Sequence, residues 1–557
     1  MDLELAPILR PKYDDFKDSI RFISNIYSQI SEIGACQVVP PADWKRPKGF
    51  ECLDHLNQCE MPVYSQKLHL INGLRRVDHG LTQSFVTFIK SFGANGHGKL
   101  FFIGKNISCF ELSNIIDESQ TSAIKEIGLF FEYLLLVKEV KAEAFQCGMS
   151  VHDFCNSGLV IKVNDSNFVC KSCNMQVYLR ELTFCRVCKD RFHSSCVLSI
   201  SCPNKYYCVR CIVLPGHAFS FEQVEGMTVK EFVQNCDKTV GNELETEKEY
   251  WQILDAGCYK ALYGANIDYK TLQSGFDDNK NDQWSLLNLP RMSLLKYLAN
   301  DIPGLTHPWL YFGSKFSTFC WHIEDHSLMS INYLHSGAVK TWYIIPPEYS
   351  TAFELCLQKT LPLLFISQPK LLYQMNLILP LDVLKKHGIP VYKINQVPGT
   401  FVITFPNCYH SGFNNGFNIA EAVNLALPQW IPFAMQSLNR YAIDQRLNLL
   451  SVDEIIIQMI ENDEKMSSEI VSILIEQIST EIRIRRALIE KYGEKQKRYM
   501  NKHACNNCKK IFYFSYAAVP EGTLCLGCIQ DTPEYVVYGL SSDYLTFLLE
   551  KVNKIYC

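Results

Sequence analysis

The stretch Phe319-Cys-Trp-His322-Ile-Glu324-Asp-His-Ser-Leu-Met-Ser330-Ile-Asn332-Tyr-Leu-His-Ser-Gly-Ala-Val-Lys340-Thr-Trp-Tyr decides how this chain is read. In a β-strand residues i and i+2 point to the same side, so His322 and Glu324 can hold one ion from one strand. A third ligand has to arrive from a strand far along the chain. His410 offers it, 86 residues after Glu324, in Phe405-Pro-Asn-Cys-Tyr-His410-Ser-Gly-Phe-Asn414. Two imidazoles and one carboxylate form the facial triad of non-haem Fe(II) oxygenases, which leaves three positions open for a co-substrate and O₂. Ser330 and Asn332 keep the parity of the ligands and therefore face the same interior. With 14 histidines in the chain, a His-x-Glu and a distant His would carry little alone; the surrounding text carries the rest.

Outward from this stretch, residues 250–430 are short aromatic and β-branched runs broken by Gly, Pro and Asn, the pattern of a barrel or sandwich. The whole chain has 557 residues, 47% hydrophobic, 20% charged and 12% aromatic. That length allows several domains, and the composition excludes wholesale disorder. The net charge of −4 gives no chain-wide attraction to nucleic acid or anionic membrane. No basic segment followed by an apolar one opens the chain and no apolar run reaches the length of a membrane span, so the expectation is a soluble, non-secreted protein. In that setting closely spaced cysteines, among the 24 present, point to metal rather than disulfides. Ile20, Phe22, Ile23, Ile26, Tyr27 and Ile30 recur at helical spacing and Gly34 stops the helix they predict. Helices are also expected over Leu81–Ser91, Ser108–Glu118 and Thr121–Val140, with a loop at residues 93–98, and again from Trp430 to Lys502 and near Ser542–Ile555.

The stretch from Phe319 to Tyr343, with His410-Ser-Gly-Phe-Asn414-Asn-Gly-Phe-Asn-Ile-Ala-Glu-Ala-Val-Asn424, closely resembles the JmjC domain of histone lysine demethylases. The resemblance implies a double-stranded β-helix, jelly-roll or cupin-like, as the core of a multidomain α+β protein. It also implies iron on His322, Glu324 and His410, and a 2-oxoglutarate site lined by Tyr263, Phe319, Ser330, Asn332, Lys340 and Asn414. Lys340 would supply the cation that a buried carboxylate of the co-substrate needs, because burying that charge unpaired costs several kcal/mol. His326 and His335 are expected to support the ligands from behind or to pack, rather than to bind metal, and Cys408 to be a core residue. The family usually carries bulky Trp and Tyr where this chain has Ser327 and Met329, a difference expected at the wall or substrate entrance.

Two further constellations are zinc-like. Cys170-x2-Cys173, Cys185-x2-Cys188, His193-x2-Cys196 and Cys208-x2-Cys211, with spacers of 11, 4 and 11 residues, supply eight ligands for two tetrahedral ions. Their order resembles a PHD finger, which implies interleaving: Cys170, Cys173, His193 and Cys196 on one ion, Cys185, Cys188, Cys208 and Cys211 on the other. Cys202 is out of register. The residues that would read a histone tail, Leu182-Thr-Phe-Cys185-Arg186-Val187-Cys188-Lys189 and Arg191-Phe192, are apolar and basic rather than acidic or Trp-bearing, so a purely structural finger is an equal expectation. Cys505-x2-Cys508 and Cys525-x2-Cys528, 16 residues apart, match one further structural zinc.

The order of these parts resembles the JARID-type lysine-specific demethylase 5 family. The expected division is a JmjN segment at 1–48, a helical region at 60–150 faintly resembling an ARID domain, a PHD-type finger at 165–214, JmjC at 250–430, a helical region at 431–502, a reduced zinc finger at 503–531 and a C-terminal helix at 532–557. Arg483 to Lys502 carries eight Lys or Arg against two Glu, a net of +6 able to meet DNA phosphate weakly, though a solvated helix face is the stronger expectation. The resemblance implies Fe(II)- and 2-oxoglutarate-dependent demethylation of methyl-lysine on histone H3, lysine 4 being the expected position, in the nucleus, within a chromatin complex and away from membranes. A protein hydroxylase on the same barrel and a non-catalytic chromatin scaffold are the rival readings; the scaffold would be marked by a broken triad or a lost Lys340.

Overall fold

The computed structural model describes residues 3–50, 56–68, 99–102, 105–108, 182–184, 191–193, 198–199, 206–207, 221–224, 226–237, 242–256, 259–360, 371–375, 377–493, 496–497, 504–520, 522–529 and 533–556. Two sheets face each other across the centre. One is five-stranded, in the order Glu4–Leu5, Tyr392–Gln396, Lys340–Ile345, Tyr409–Asn414, Thr318–His322. The other is nine-stranded, in the order Phe221–Val224, Val63–Leu68, Tyr259–Asp268, Trp309–Gly313, Asn418–Leu425, Met329–Gly337, Phe401–Thr404, Ala35–Val38, Ile8–Leu9. Neighbouring strands in space are far apart in sequence, and most pairs are antiparallel. This is the jelly-roll arrangement, in which two sheets bury their inner faces against one another.

The N-terminal residues are built into both sheets. Glu4–Leu5 pairs parallel with Tyr392–Lys393, and Ala35–Val38 closes on Phe401–Thr404. Between them runs the predicted helix, Ser19–Ile30, opened by the Asp18 side chain accepting from the Arg21 N–H. Its Phe22 and Ile23 join a core with Met329, Ile331, Phe401 and Leu425. Phe16, just ahead of it, stacks on Trp284 at 4.1 Å between ring centroids. Gly34 ends the segment at φ +100°, and a Cβ there would lie 2.7 Å from the Cys408 Sγ. Only glycine fits both that backbone and that approach.

The coarse expectation of a mainly helical region at 60–150 is corrected in the residues described there, whose elements are strands. Val63–Leu68 is an inner strand of the large sheet, and Lys99–Phe102 pairs with Lys105–Ser108. The three helices predicted there, apart from Ser108, which ends a strand, and the loop at 93–98 lie outside the described residues. So do seven of the eight ligands expected in the first zinc module: Cys170, Cys173, Cys185, Cys188, Cys196, Cys208 and Cys211. Of that module the backbone shows two strand pairs, Leu182–Phe184 against Arg191–His193 and Leu198–Ser199 against Tyr206–Tyr207.

After the barrel the chain is helical to Tyr492, in Ile431–Ile443, Val452–Glu461 and Ser468–Tyr492, packed with the last helix Ser542–Tyr556 around Trp430, Ile455, Leu474 and Leu548. The helical expectations to Lys502 and over 532–557 are corrected at Gln496–Lys497 and Tyr535–Tyr538, which pair as parallel strands. Arg485, counted as part of a basic face, is buried instead. It donates to Glu481 and to the carbonyls of Phe514 and Leu540, tying the long helix to the cysteine module and the last helix. No described helix is long and apolar enough to cross a membrane.

Candidate metal and co-substrate site

His322 ends the strand Thr318–His322, and its direct antiparallel partner is His410. Two residues on, Glu324 follows as the chain leaves the sheet. The register therefore does what the sequence asked: one ligand atom from each of His322, Glu324 and His410 lies within 4.8 Å of the other two. The imidazole centroids are 4.2 Å apart, and Glu324 Oε1 lies 3.5 Å from His410 Nε2.

Each imidazole is fixed by the backbone two residues before it. His322 Nδ1 lies 2.7 Å from the Cys320 carbonyl and His410 Nδ1 3.0 Å from that of Cys408. A carbonyl only accepts, so both Nδ1 atoms carry hydrogen and Nε2 is the atom each ring has left to offer a metal. Burial, then the neighbouring His410, pushes His322 down to about 4, which keeps it neutral near pH 7. Burial works against the charge on Glu324, but the hydrogen bond and charge that the neighbouring His410 can offer it when no metal holds that ring, then the His322 charge, outweigh burial and hold the carboxyl down to about 2. Asn424 donates to its other oxygen at 2.9 Å. Two imidazoles that offer Nε2 and one anionic carboxylate suit a divalent iron, a donor set that leaves positions for a co-substrate and O₂.

Deeper between the sheets lies Lys340, 3% exposed. Its Nζ is 3.2 Å from Asn414 Oδ1 and 3.4 Å from the Tyr263 hydroxyl, and it sits over the rings of Phe319, Tyr263 and Trp342 at 4.3, 5.6 and 5.7 Å. All these partners are neutral, and burial pushes the ammonium down to about 7. A cation held this way lacks an anion, which is the test a dicarboxylic co-substrate has to meet and does. Ser330 bonds to Thr404 at 2.6 Å, whereas the Asn332 side-chain oxygen is buried with no partner. Asn414 is anchored through its amide to Ser317. The structure thus gathers His322, Glu324 and His410 at one point and Tyr263, Phe319 and Asn414 around Lys340, with Trp342 between the two groups, its ring under Lys340 and 5.9 Å from the His410 ring. Ser330 stands opposite Asn424 and Asn332 opposite Ala422 in the large sheet, where neither bonds to a member of either group. Sequence reasoning missed Asn424 and Thr404, which come to the site from Asn418–Leu425 and Phe401–Thr404, the two strands paired with that of Ser330; the register Ser330 to Asn424 is visible only once the sheet is assembled.

Of the two departures flanking Ser330, Ser327 lines a cavity of about 180 Å³ beside Glu324. Met329 does not: it is buried in the core shared with Phe16 and Trp284 on the far side of the sheet. His335 pairs with Glu421 at 2.9 Å, away from the triad, and Cys408 is buried as expected.

In the second cysteine module, Cys505, Cys508, Cys525 and Cys528 also bring their sulfurs within 4.8 Å of one another. The amides of Cys508 and Cys525 point at Cys505 Sγ, and hydrogen bonds from the Cys508 and Cys525 thiols hold Cys505 well below the ordinary thiol range. Four thiolates fit one structural zinc. Phe512 is buried against Tyr516 at 4.9 Å and fills the module's core.

Comparison with known proteins agrees with this geometry. The JmjC domain family, described as a hydroxylase, matches residues 309–425. Lysine-specific demethylase 5D of Pan troglodytes and of Homo sapiens are each 33% identical over 442 residues, 70% of this chain and 29% of theirs. Lysine-specific demethylase 5B of Gallus gallus is 38% identical over 328 residues, 52% of this chain and 22% of its own. The chain thus spans less than a third of the length of these relatives. It carries a JmjC domain, and it resembles the lysine-specific demethylases 5 over most of its own length.

Proposed function

We propose that this chain is an Fe(II)- and 2-oxoglutarate-dependent demethylase of methyl-lysine on histone H3, with lysine 4 as the position. The observation that carries the reading is Lys340, a buried cation with neutral partners that lies over the Trp342 ring, itself 5.9 Å from His410 of the triad. His322, Glu324 and His410 would hold the iron, with both Nδ1–H groups spent on carbonyls so that Nε2 faces it. Lys340 and Tyr263 would receive the far carboxylate of 2-oxoglutarate, and the Asn332 side-chain N–H would donate to the same ligand. When bound, the iron and its co-substrate supply an oxidant for C–H bonds, 2-oxoglutarate leaving as succinate and CO₂. The protein's part is to bind, orient and exclude water: Phe319 and Trp342 wall the cleft, and Asn424 keeps Glu324 turned toward the iron position. A hydroxylated N-methyl group is a hemiaminal, which collapses to formaldehyde and lysine. No amine lone pair is consumed, so trimethyl-lysine is an allowed substrate.

The reading places the chain in the nucleus, acting on chromatin, with three zinc ions in its two cysteine modules. Seven basic residues of 483–502 remain for DNA phosphate once the buried Arg485 is set aside. Succinate formation with a methylated H3 peptide tests the proposal. Wild type should turn over, and Glu324→Ala and Lys340→Met should each lose turnover while remaining folded by circular dichroism; a Glu324→Ala variant as active as wild type would refute the triad.

A further inference from the structure

Glu324 is followed by a costly piece of backbone. His326 and Ser327 both stand at φ 53°, in the left-handed region where a residue with a Cβ is penalised by about 1–2 kcal/mol. The turn Asp325–Ser327 closes only through Ser327 N–H to the Glu324 carbonyl and Leu328 N–H to that of Asp325. Strain of this kind persists when its surroundings over-determine it.

Those surroundings come from one place, segment 430–449, which lies beyond the residues matched by the JmjC family. Trp430 Nε1 donates to the His326 carbonyl at 2.9 Å. The Tyr441 hydroxyl accepts from the His326 N–H at 3.0 Å and donates to Asp325 at 3.3 Å. Leu449 N–H donates to His326 Nε2 at 3.1 Å, and Ser437 bonds to Ser327 at 2.9 Å. Arg446 completes the grip. Its guanidinium pairs with the Asp325 carboxylate while lying over the rings of Tyr373 and Tyr441 at 4.2 and 4.7 Å, and its own N–H is held by the Tyr441 carbonyl at 2.8 Å. A planar cation between two rings and a carboxylate is geometrically fixed in a way a surface ion pair is not.

From this we infer that Arg446 is a positioning residue for the metal ligand Glu324, acting through Asp325 and the strained turn, with Tyr441 as its companion. The inference rests on the proposal that His322, Glu324 and His410 bind the metal. Released from Asp325, the turn relaxes toward ordinary backbone, and Glu324, then held by its contacts to Asn424 and His410 without a fixed backbone behind it, loses its fixed direction. Partners that orient a ligand rather than bind the metal are worth about 10- to 100-fold in metal affinity.

The test is Mn(II) binding to the zinc-loaded full chain, read by loss of the free-ion paramagnetic resonance signal. Mn(II) takes carboxylate and imidazole rather than the zinc-filled thiolate modules, and Glu324→Ala supplies the blank. Arg446→Ala and Tyr441→Phe should weaken Mn(II) by about tenfold or more, Arg446→Lys should recover part of that loss, and Asp325→Asn combined with Arg446→Ala should be no weaker than the worse single variant. Variants that melt earlier yet bind Mn(II) like wild type would overturn the inference and leave Arg446 a purely structural group. Should Arg446→Ala fail to fold, Tyr441→Phe and Arg446→Lys decide in the same way. A wild-type chain that binds no Mn(II) beyond the Glu324→Ala blank would instead refute the metal site itself.

Discussion

Lys340 sets the needs of the ligand-free protein against those of the proposed reaction. With the ammonium pushed down to about 7 from an ordinary 10.5, the folded state binds fewer protons than the unfolded chain between those values. Stability therefore rises with pH across that window, and the penalty is fully present below pH 7. Lys340→Met should raise the melting temperature of ligand-free protein, by the equivalent of about 1–4 kcal/mol at pH 6 and by progressively less toward pH 10, while abolishing 2-oxoglutarate binding. A lowered melting temperature at pH 6 would mean that the cation has an unrecognised anionic partner. In wild type, 2-oxoglutarate affinity should fall as pH rises above about 7, because the carboxylate pairs only with the protonated amine; an affinity flat from pH 6 to 9 by calorimetry would contradict this. The triad was legible from His322-x-Glu324 and a distant His410 set in text that resembles JmjC, and Lys340 from the same resemblance. Strand parity holds only between Ser330 and Asn332, because the turn Asp325–Ser327 separates their strand from that of His322, which belongs to the other sheet. Asn424 and Arg446 were not legible, since each meets its partner across 100 residues or more, and no periodicity encodes that distance.

Among elements, the segment from Leu3 to Phe50 and the barrel depend on one another at Gly34. Its positive φ and the 2.7 Å approach to Cys408 leave no room for a methyl group, and the Cys408 carbonyl is what orients His410. Gly34→Ala should cost more than about 1 kcal/mol by thermal melting and weaken Mn(II) at the triad as well; combining it with Cys408→Ala should recover part of both, and an Mn(II) affinity unmoved by Gly34→Ala would show that the contact is packing alone. The helix Ser19–Ile30 could be read from its apolar spacing, because its amphipathic face is written in consecutive residues. The strand Val63–Leu68 could not: what makes it a strand is backbone pairing to Phe221–Val224 and Tyr259–Gly264, well over a hundred residues away. Met329 misled for a similar reason, since parity gives the side of the sheet but not what covers that side.

Over the whole molecule, the JmjC barrel is completed from outside its own limits, by strands from the N-terminus and by the helices after Trp430. The cysteine module joins that helical body through Arg485 and through Lys510, which pairs with the buried Asp453 at 2.8 Å. If Cys505, Cys508, Cys525 and Cys528 hold zinc, Cys525→Ser should remove one of three zinc ions per chain by elemental analysis and unfold the module locally, with Mn(II) still bound at the triad. Zinc content unchanged in that variant would disprove the ligand set. The measurement that bears most directly on function is mass spectrometry of a histone H3 peptide trimethylated at lysine 4, incubated with the full chain, Fe(II), ascorbate and 2-oxoglutarate. Successive losses of one methylene mass, absent with Glu324→Ala, are the result this account predicts. A stable gain of one oxygen would make the protein a hydroxylase, and an unchanged peptide in the presence of bound metal and co-substrate would contradict lysine 4 demethylation.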